Sequence, residues 1–316
     1  MGDLTPTPIR ADRKRATIQV AGETVRYEVY AVDARTPEQQ ARDTQRGYPE
    51  GQVLVIVPGH GQTVMGPRRL VVEAARLSRS KIAWCIDPTP AAGGDVTEAQ
   101  AIVQIVARRL AAQFPAGARP GTVQATILGW SHGGGEALRA ARQDPALFPH
   151  YLGLCPAGLV DRTFAGLVGS FCLEAARIVI ADLRRLRWDR LAETLRVGLD
   201  CARGLLLDLA RSRSPGRLVD DVLWACVKIP GPTFDYGGDV VLLFGAQDTV
   251  IRWQDPFPDC RRPEQLADCL PAYRRENFGQ ARQVEVRLIE GNHMGPELDP
   301  GAFLRPGLAL VGQLDG

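Results

Sequence analysis

Three segments of this chain, "QVLVIVPG", "TVQATILGW" and "DVVLLFGAQD", are apolar almost without interruption, and this limits the fold more than any other feature. A strand that is apolar on both faces must be covered on both sides, as in a parallel sheet sandwiched between helices. Helix patterns alternate with these strands: "PRRLVVEAARLSR", "TEAQAIVQIVARRLAAQF" and "GGEALRAARQD". In the second of them Thr97 and Gln100 fit a capping box, and Val103, Val106, Leu110 and Phe114 are expected to line one face. "KIAWCIDP", "HYLGLCP" and "QVEVRLIEGNHMG" read as further strands. The alternation predicts an α/β fold whose sheet has helices on both faces.

Two departures frame this rhythm. Near the start, "ATIQVAG" and "TVRYEVYAV" are strand-like, and the polar stretch "RTPEQQARDTQRGYPE" after them reads as a loop. From about Ala157 to Asp235 the pattern is helical only, with Leu191, Leu195, Leu199, Ala202, Leu206 and Leu209 spaced as one apolar seam expected to pack. The strand pattern then resumes. Residues 157–235 are therefore expected to form a helical insertion in a core built from 1–156 and 236–316.

Composition narrows the function classes. The 38 basic residues are offset by 36 acidic ones for a net charge of +2, with no basic block, so nucleic acid is not an expected partner. Charges interrupt every long apolar stretch, and "MGDLTPTPIRADRKR" has no apolar centre, so neither a membrane span nor a secretory leader is expected. Most of the seven cysteines sit in apolar settings such as "AWCID", "LGLCP" and "LWACV", the pattern of buried free thiols in a reducing cytoplasm. Cys260 and Cys269 could pair, although nothing in the sequence requires it. No CxxC pair or HxxxH spacing suggests a metal site. "GHGQTVMG" is not a dinucleotide fingerprint, because Val64 stands where the third glycine would fall, and no phosphate-binding loop of the GxxxxGK[ST] type is present.

What remains is a serine. Gly129-Trp130-Ser131-His132-Gly133 matches G-x-S-x-G, between a strand pattern and a helix pattern. With six serines and 33 glycines among 316 residues, about 0.07 chance matches are expected. A plain glycine turn is the competing reading. A serine hydroxyl needs a base to take its proton, and the base needs an orienting acid. His293 follows the last strand pattern and is the best placed of four histidines; His150 reads as a surface residue. Asp248 follows "VVLLFGAQ" at a strand's carboxyl end, although it could simply cap a loop; Asp239 and Asp255 are its rivals. An oxyanion needs two backbone N–H donors, expected from His132 and from Gln62, the latter preferred over Gly61. His60, Gly61 and Trp130 are the candidates for substrate contact.

Taken together, "VPGHGQ", "GWSHGG", "GAQDT" and "GNHMG" resemble the α/β-hydrolase superfamily from about Gln52 to the end of the chain. The resemblance implies a mostly parallel eight-stranded sheet, a Ser-His-Asp site, a helical cap at 157–235 and no cofactor. The expected activity is hydrolysis of a small-molecule carboxylic ester with a hydrophobic portion. A thioesterase, an acyltransferase or a non-catalytic ligand-binding protein on the same fold are the alternatives. Oligomeric state is left open by the sequence.

Overall fold

In the computed structural model, residues 9–59, 62–91, 94–115, 123–196, 198–199, 203, 226–231 and 234–315 are described. Strands β1 (Arg10–Val20) and β2 (Glu23–Asp33) form an antiparallel hairpin, and β2 also pairs antiparallel with β4 (Ile82–Thr89). Strands β3 (Val53–Val57), β5 (Ala125–Trp130), β6 (His150–Leu154), β7 (Asp239–Gly245) and β8 (Gln283–Ile289) run parallel. They make one eight-stranded sheet in the order β1-β2-β4-β3-β5-β6-β7-β8. As their composition requires, β3, β5 and β7 are buried at every residue.

Helices cover both faces. On one face α3 (Glu98–Gln113), α4 (His132–Gln143) and the helix Leu266–Asn277 enclose a core that includes Trp84, Ile102, Leu138 and Tyr273. On the other, α2 (Arg68–Leu77) and the helix Pro300–Leu310 pack Leu70, Ala74, Phe303 and Leu308 against β3, β5 and β7. The capping box of α3 is formed by Thr97 and Gln100 as read. Its buried face runs through Ala99, Ile102, Val106 and Leu110, with Phe114 buried beyond its end and Val103 only partly covered.

The stretch read as a loop near the start is instead a helix, α1 (Pro37–Arg46). It has almost no apolar periodicity to reveal it. Its ends make it: Thr36 and Gln39 form a capping box, Pro37 opens the first turn, and Gly47 closes the last at φ 80°. Arg35 then ties the buried Asp43 down at 2.8 Å.

Between β6 and β7 the described residues form a long helix, α5 (Phe164–Arg184), and a second one over 188–196. Here the expected seam does not hold. Leu191 is buried, but Leu195 and Leu199 are 52% and 71% exposed, and Ala202, Leu206 and Leu209 lie outside the described residues. Cys260 and Cys269 are disulfide-bonded. Cys85, Cys155 and Cys226 are buried and outside any disulfide, as expected, whereas Cys172 is exposed. Among the described residues no helix is long and apolar enough to cross a membrane.

Candidate active site

The site is assembled from the carboxyl ends of four parallel strands. After β5 the chain turns so sharply into α4 that Ser131 adopts φ 54° and ψ −125°, a strained conformation for any residue with a side chain. Two glycines allow it. A Cβ on Gly129 would collide with the Gly133 carbonyl oxygen, and one on Gly133 would collide with that of Pro58. The turn is fastened by hydrogen bonds from Ser131 N–H to the Leu154 carbonyl (3.1 Å) and from Ala157 N–H to the Ser131 carbonyl (2.9 Å). This presents the Ser131 hydroxyl above the sheet edge, so the glycine run makes the turn and aims the hydroxyl at once.

The three residues picked from widely separated segments meet here. His293 Nε2 lies 2.9 Å from Ser131 Oγ, and its Nδ1 lies 2.9 Å from Asp248 Oδ2. Asp248 does the loop capping that was its simpler reading as well: Oδ1 accepts from Val250 and Ile251 N–H, both at 2.8 Å. One oxygen shapes the loop and the other faces the imidazole. The rivals are elsewhere. Asp239 binds His150 (2.8 Å) and Arg282 (2.5 Å) at the amino ends of β6 and β7, and Asp255 pairs with Arg162 and Arg252. His150 is thus a half-buried partner of Asp239 and not the surface residue expected.

Burial pushes the His293 imidazole down, but the Asp248 carboxylate beside it and Glu174 behind its backbone outweigh that and hold it above the ordinary histidine value. Cys155 sits under the same cluster at φ 45°, accepting from Gly245 N–H at 3.4 Å, and burial pushes its thiol up. Cys155, Asp248 and His293 offer three ligand atoms within 4.8 Å of one another. A metal ion does not fit between the last two, since a carboxylate and an imidazole sharing an ion stand farther apart than the 2.9 Å seen here. The geometry is one that permits proton transfer: an imidazole within reach of the hydroxyl on one side and of a carboxylate on the other.

Two expected contacts differ. Trp130, read as a substrate contact, is 2% exposed and packs in the core, where its indole N–H donates to the His293 carbonyl at 3.0 Å. It braces the histidine. Gln62, read as an oxyanion donor, turns its N–H to the Gly59 carbonyl (3.1 Å), and its side chain accepts from Gly59 N–H (3.0 Å). That closes a tight turn, so the Gln62 N–H does not aim at the serine. His60 and Gly61 lie outside the described residues. His132 opens α4, where backbone N–H groups point out of the helix's positive end.

Other participants were not picked from the sequence. Glu174 on α5 accepts from the N–H of His293. Arg196 donates to the Met65 and Gly66 carbonyls and to Glu193 and Glu297. For Glu174 a signal existed: an acid in the middle of the apolar stretch "LVGSFCLEAARIVI".

No family model matches the chain, and no curated protein matches it. Solved structures do. An α/β-hydrolase enzyme from a Medee basin deep-sea metagenome library superimposes with a TM-score of 0.54 at 14% identity, over 95% of this chain and 98% of that one. A 2-hydroxy-6-oxo-6-phenylhexa-2,4-dienoate hydrolase from Rhodococcus gives 0.53 at 13%, over 96% and 99%. A thermophilic esterase gives 0.51 at 12%, over 95% and 99%. At such identities the likeness speaks for architecture. The chain has the α/β-hydrolase fold.

Proposed function

We propose that this protein is a serine hydrolase that cleaves a carboxylic ester with a hydrophobic portion through an acyl-enzyme. The observation that carries the reading is the continuous chain of hydrogen bonds from Ser131 Oγ to His293 and on to Asp248, each 2.9 Å long. Ser131 Oγ attacks the ester carbonyl while His293 Nε2 takes its proton; Asp248 stabilises the resulting imidazolium. Collapse of the tetrahedral intermediate expels the alcohol, which receives that proton from His293. Water then attacks the acyl-enzyme with His293 again as base, the serine regains its proton, and the acid leaves.

His132 N–H supplies one oxyanion donor. We assign the second to the loop after β3, and propose His60 and Gly61 of that loop as substrate contacts. Residues 157–235 act as a cap. Support for this comes from Glu174, Arg162 and Arg196, which reach from the insertion to the loops at the carboxyl ends of the strands. That is where ligands of open α/β sheets bind.

The test is turnover of an aryl ester series by wild type and Ser131→Ala, with a competing alcohol to reveal acyl transfer. Hydrolysis lost in the variant by about 10⁶-fold in kcat is the expected result. Undiminished hydrolysis in Ser131→Ala would refute the assignment.

A further inference from the structure

Glu174 lies on α5, within the insertion, yet it is 3% exposed and its carboxylate reaches the loops that follow β7 and β8. Oε1 accepts from the backbone N–H of His293 at 2.5 Å. Oε2 accepts from Thr249 N–H at 2.5 Å and Thr249 Oγ1 at 2.6 Å. Thr249 directly follows Asp248, so one side chain grips the neighbour of the acid and the backbone of the base. His293 is consequently held by Glu174 on its N–H, by Trp130 on its carbonyl, by Asp248 on Nδ1 and by Ser131 on Nε2.

We propose that Glu174 is a positioning residue that sets the separation of Asp248 and His293, so that the insertion forms part of the reacting geometry rather than only a roof over it. The inference rests on the reading of Ser131, His293 and Asp248 as the reacting groups. The chemistry of the partners favours it over simple packing. Burying a carboxylate is costly unless its lone pairs are filled, and here they are filled by two backbone N–H groups and one hydroxyl from the two loops that must stay in register. An apolar side chain would fill the same space on α5 and hold neither loop. A carboxylate has no proton on either oxygen and accepts on both without conflict; an amide would turn an NH₂ against one of the N–H groups.

A second consequence concerns charge. The groups facing His293 are Asp248 from the loop after β7, Cys155 after β6, Ser131 at the turn, Arg162 before α5 and Glu174 on it. Asp248 and Glu174 both favour the imidazolium, and Arg162 opposes it. Removing the Glu174 charge therefore lowers the pH at which His293 loses its proton.

The experiment compares wild type, Glu174→Gln and Glu174→Asp by aryl-ester kinetics across pH and by NMR titration of the His293 ring. Glu174→Gln is expected to lower kcat about 100-fold with KM little changed, and to move the acid limb of kcat/KM to lower pH. Glu174→Asp, which keeps the charge but withdraws the oxygens, should lower kcat while leaving the acid limb near its wild-type position. If Glu174→Gln does not fold, Thr249→Val removes one donor and should lower kcat several-fold without moving the acid limb. Wild-type kcat in either folded variant overturns the proposal, as does an unshifted His293 titration in folded Glu174→Gln. A wild type without ester turnover and without Ser131 reactivity refutes the hydrolase reading instead; the His293 titration then judges Glu174 alone.

Discussion

The sheet with its covering helices (the core) and the helical segment between β6 and β7 (the insertion) hold themselves together in opposite ways. In the core, apolar strands and helix faces bury one another completely: Val55, Ile127 and Leu242 have no exposure at all. In the insertion, Leu173, Ile180, Leu186, Trp188 and Leu199 are all more than two-fifths exposed, and several of the deeply placed groups are charged. Among the described residues Glu174, Arg162 and Arg196 fasten it, and each ends on a loop or helix next to the candidate site. The lesson concerns specificity of placement. Apolar burial fixes how much surface is covered but tolerates sliding, whereas a buried carboxylate or guanidinium has to meet particular partners or be left unsatisfied.

The largest expected effect lies on the core side of this comparison. Asp248→Asn keeps the shape of the loop but presents the wrong partner to His293 Nδ1, and kcat should fall about 10⁴-fold with thermal stability little altered. If Asp255→Asn costs more than Asp248→Asn in the same assay, the acid is misassigned.

Next comes a fastening of the insertion. Arg196→Met removes the cation shared by Glu193 and Glu297 (2.6 and 2.7 Å) and leaves two carbonyl groups, those of Met65 and Gly66, without their donor. Because Arg196 is only 23% exposed, a loss of about 3 kcal/mol is expected in denaturant unfolding. A variant as stable as wild type would mean that the insertion is held by apolar packing after all.

A smaller effect should appear with pH. Burial pushes the Glu297 carboxyl up to about 8, against its bonds from Arg69 and Leu70 N–H and the pull of Arg196. The folded state therefore binds a proton that the unfolded state releases nearer 4.5. The stability this contributes is complete below the unfolded value and is lost as pH rises through about 8. The melting temperature should decline across that window, and Glu297→Gln should flatten part of the decline. An identical slope in the variant would show that the carboxyl is ionised throughout.

How much of this was legible depended on how local each constraint is. Ser131 was readable because the turn that presents it needs glycines within two residues on either side, and the two loops carrying Asp248 and His293 each follow a strongly apolar strand. The capping box at Thr97 was readable for the same reason, while α1 escaped because its caps lacked an apolar face to draw attention to them. Gln62 was misjudged since its N–H direction depends on a turn closed by its own side chain. Trp130, Glu174 and Arg196 act through partners that lie 163, 119 and 131 residues away along the chain, and no short pattern encodes such a meeting. The exposed leucines mark the limit of periodicity: Leu191, Leu195 and Leu199 share helical spacing, yet only the first is buried.

The central claim is that Ser131 is a nucleophile activated by His293. The most direct measurement is labelling of the intact protein with an alkyl fluorophosphonate, followed by peptide mapping and mass spectrometry. One phosphonyl group per chain is expected, on the peptide containing Gly129-Trp130-Ser131-His132-Gly133, with labelling slowed by several orders of magnitude in His293→Ala and absent in Ser131→Ala. Label on another residue, or labelling of Ser131 at an unchanged rate in His293→Ala, would contradict it.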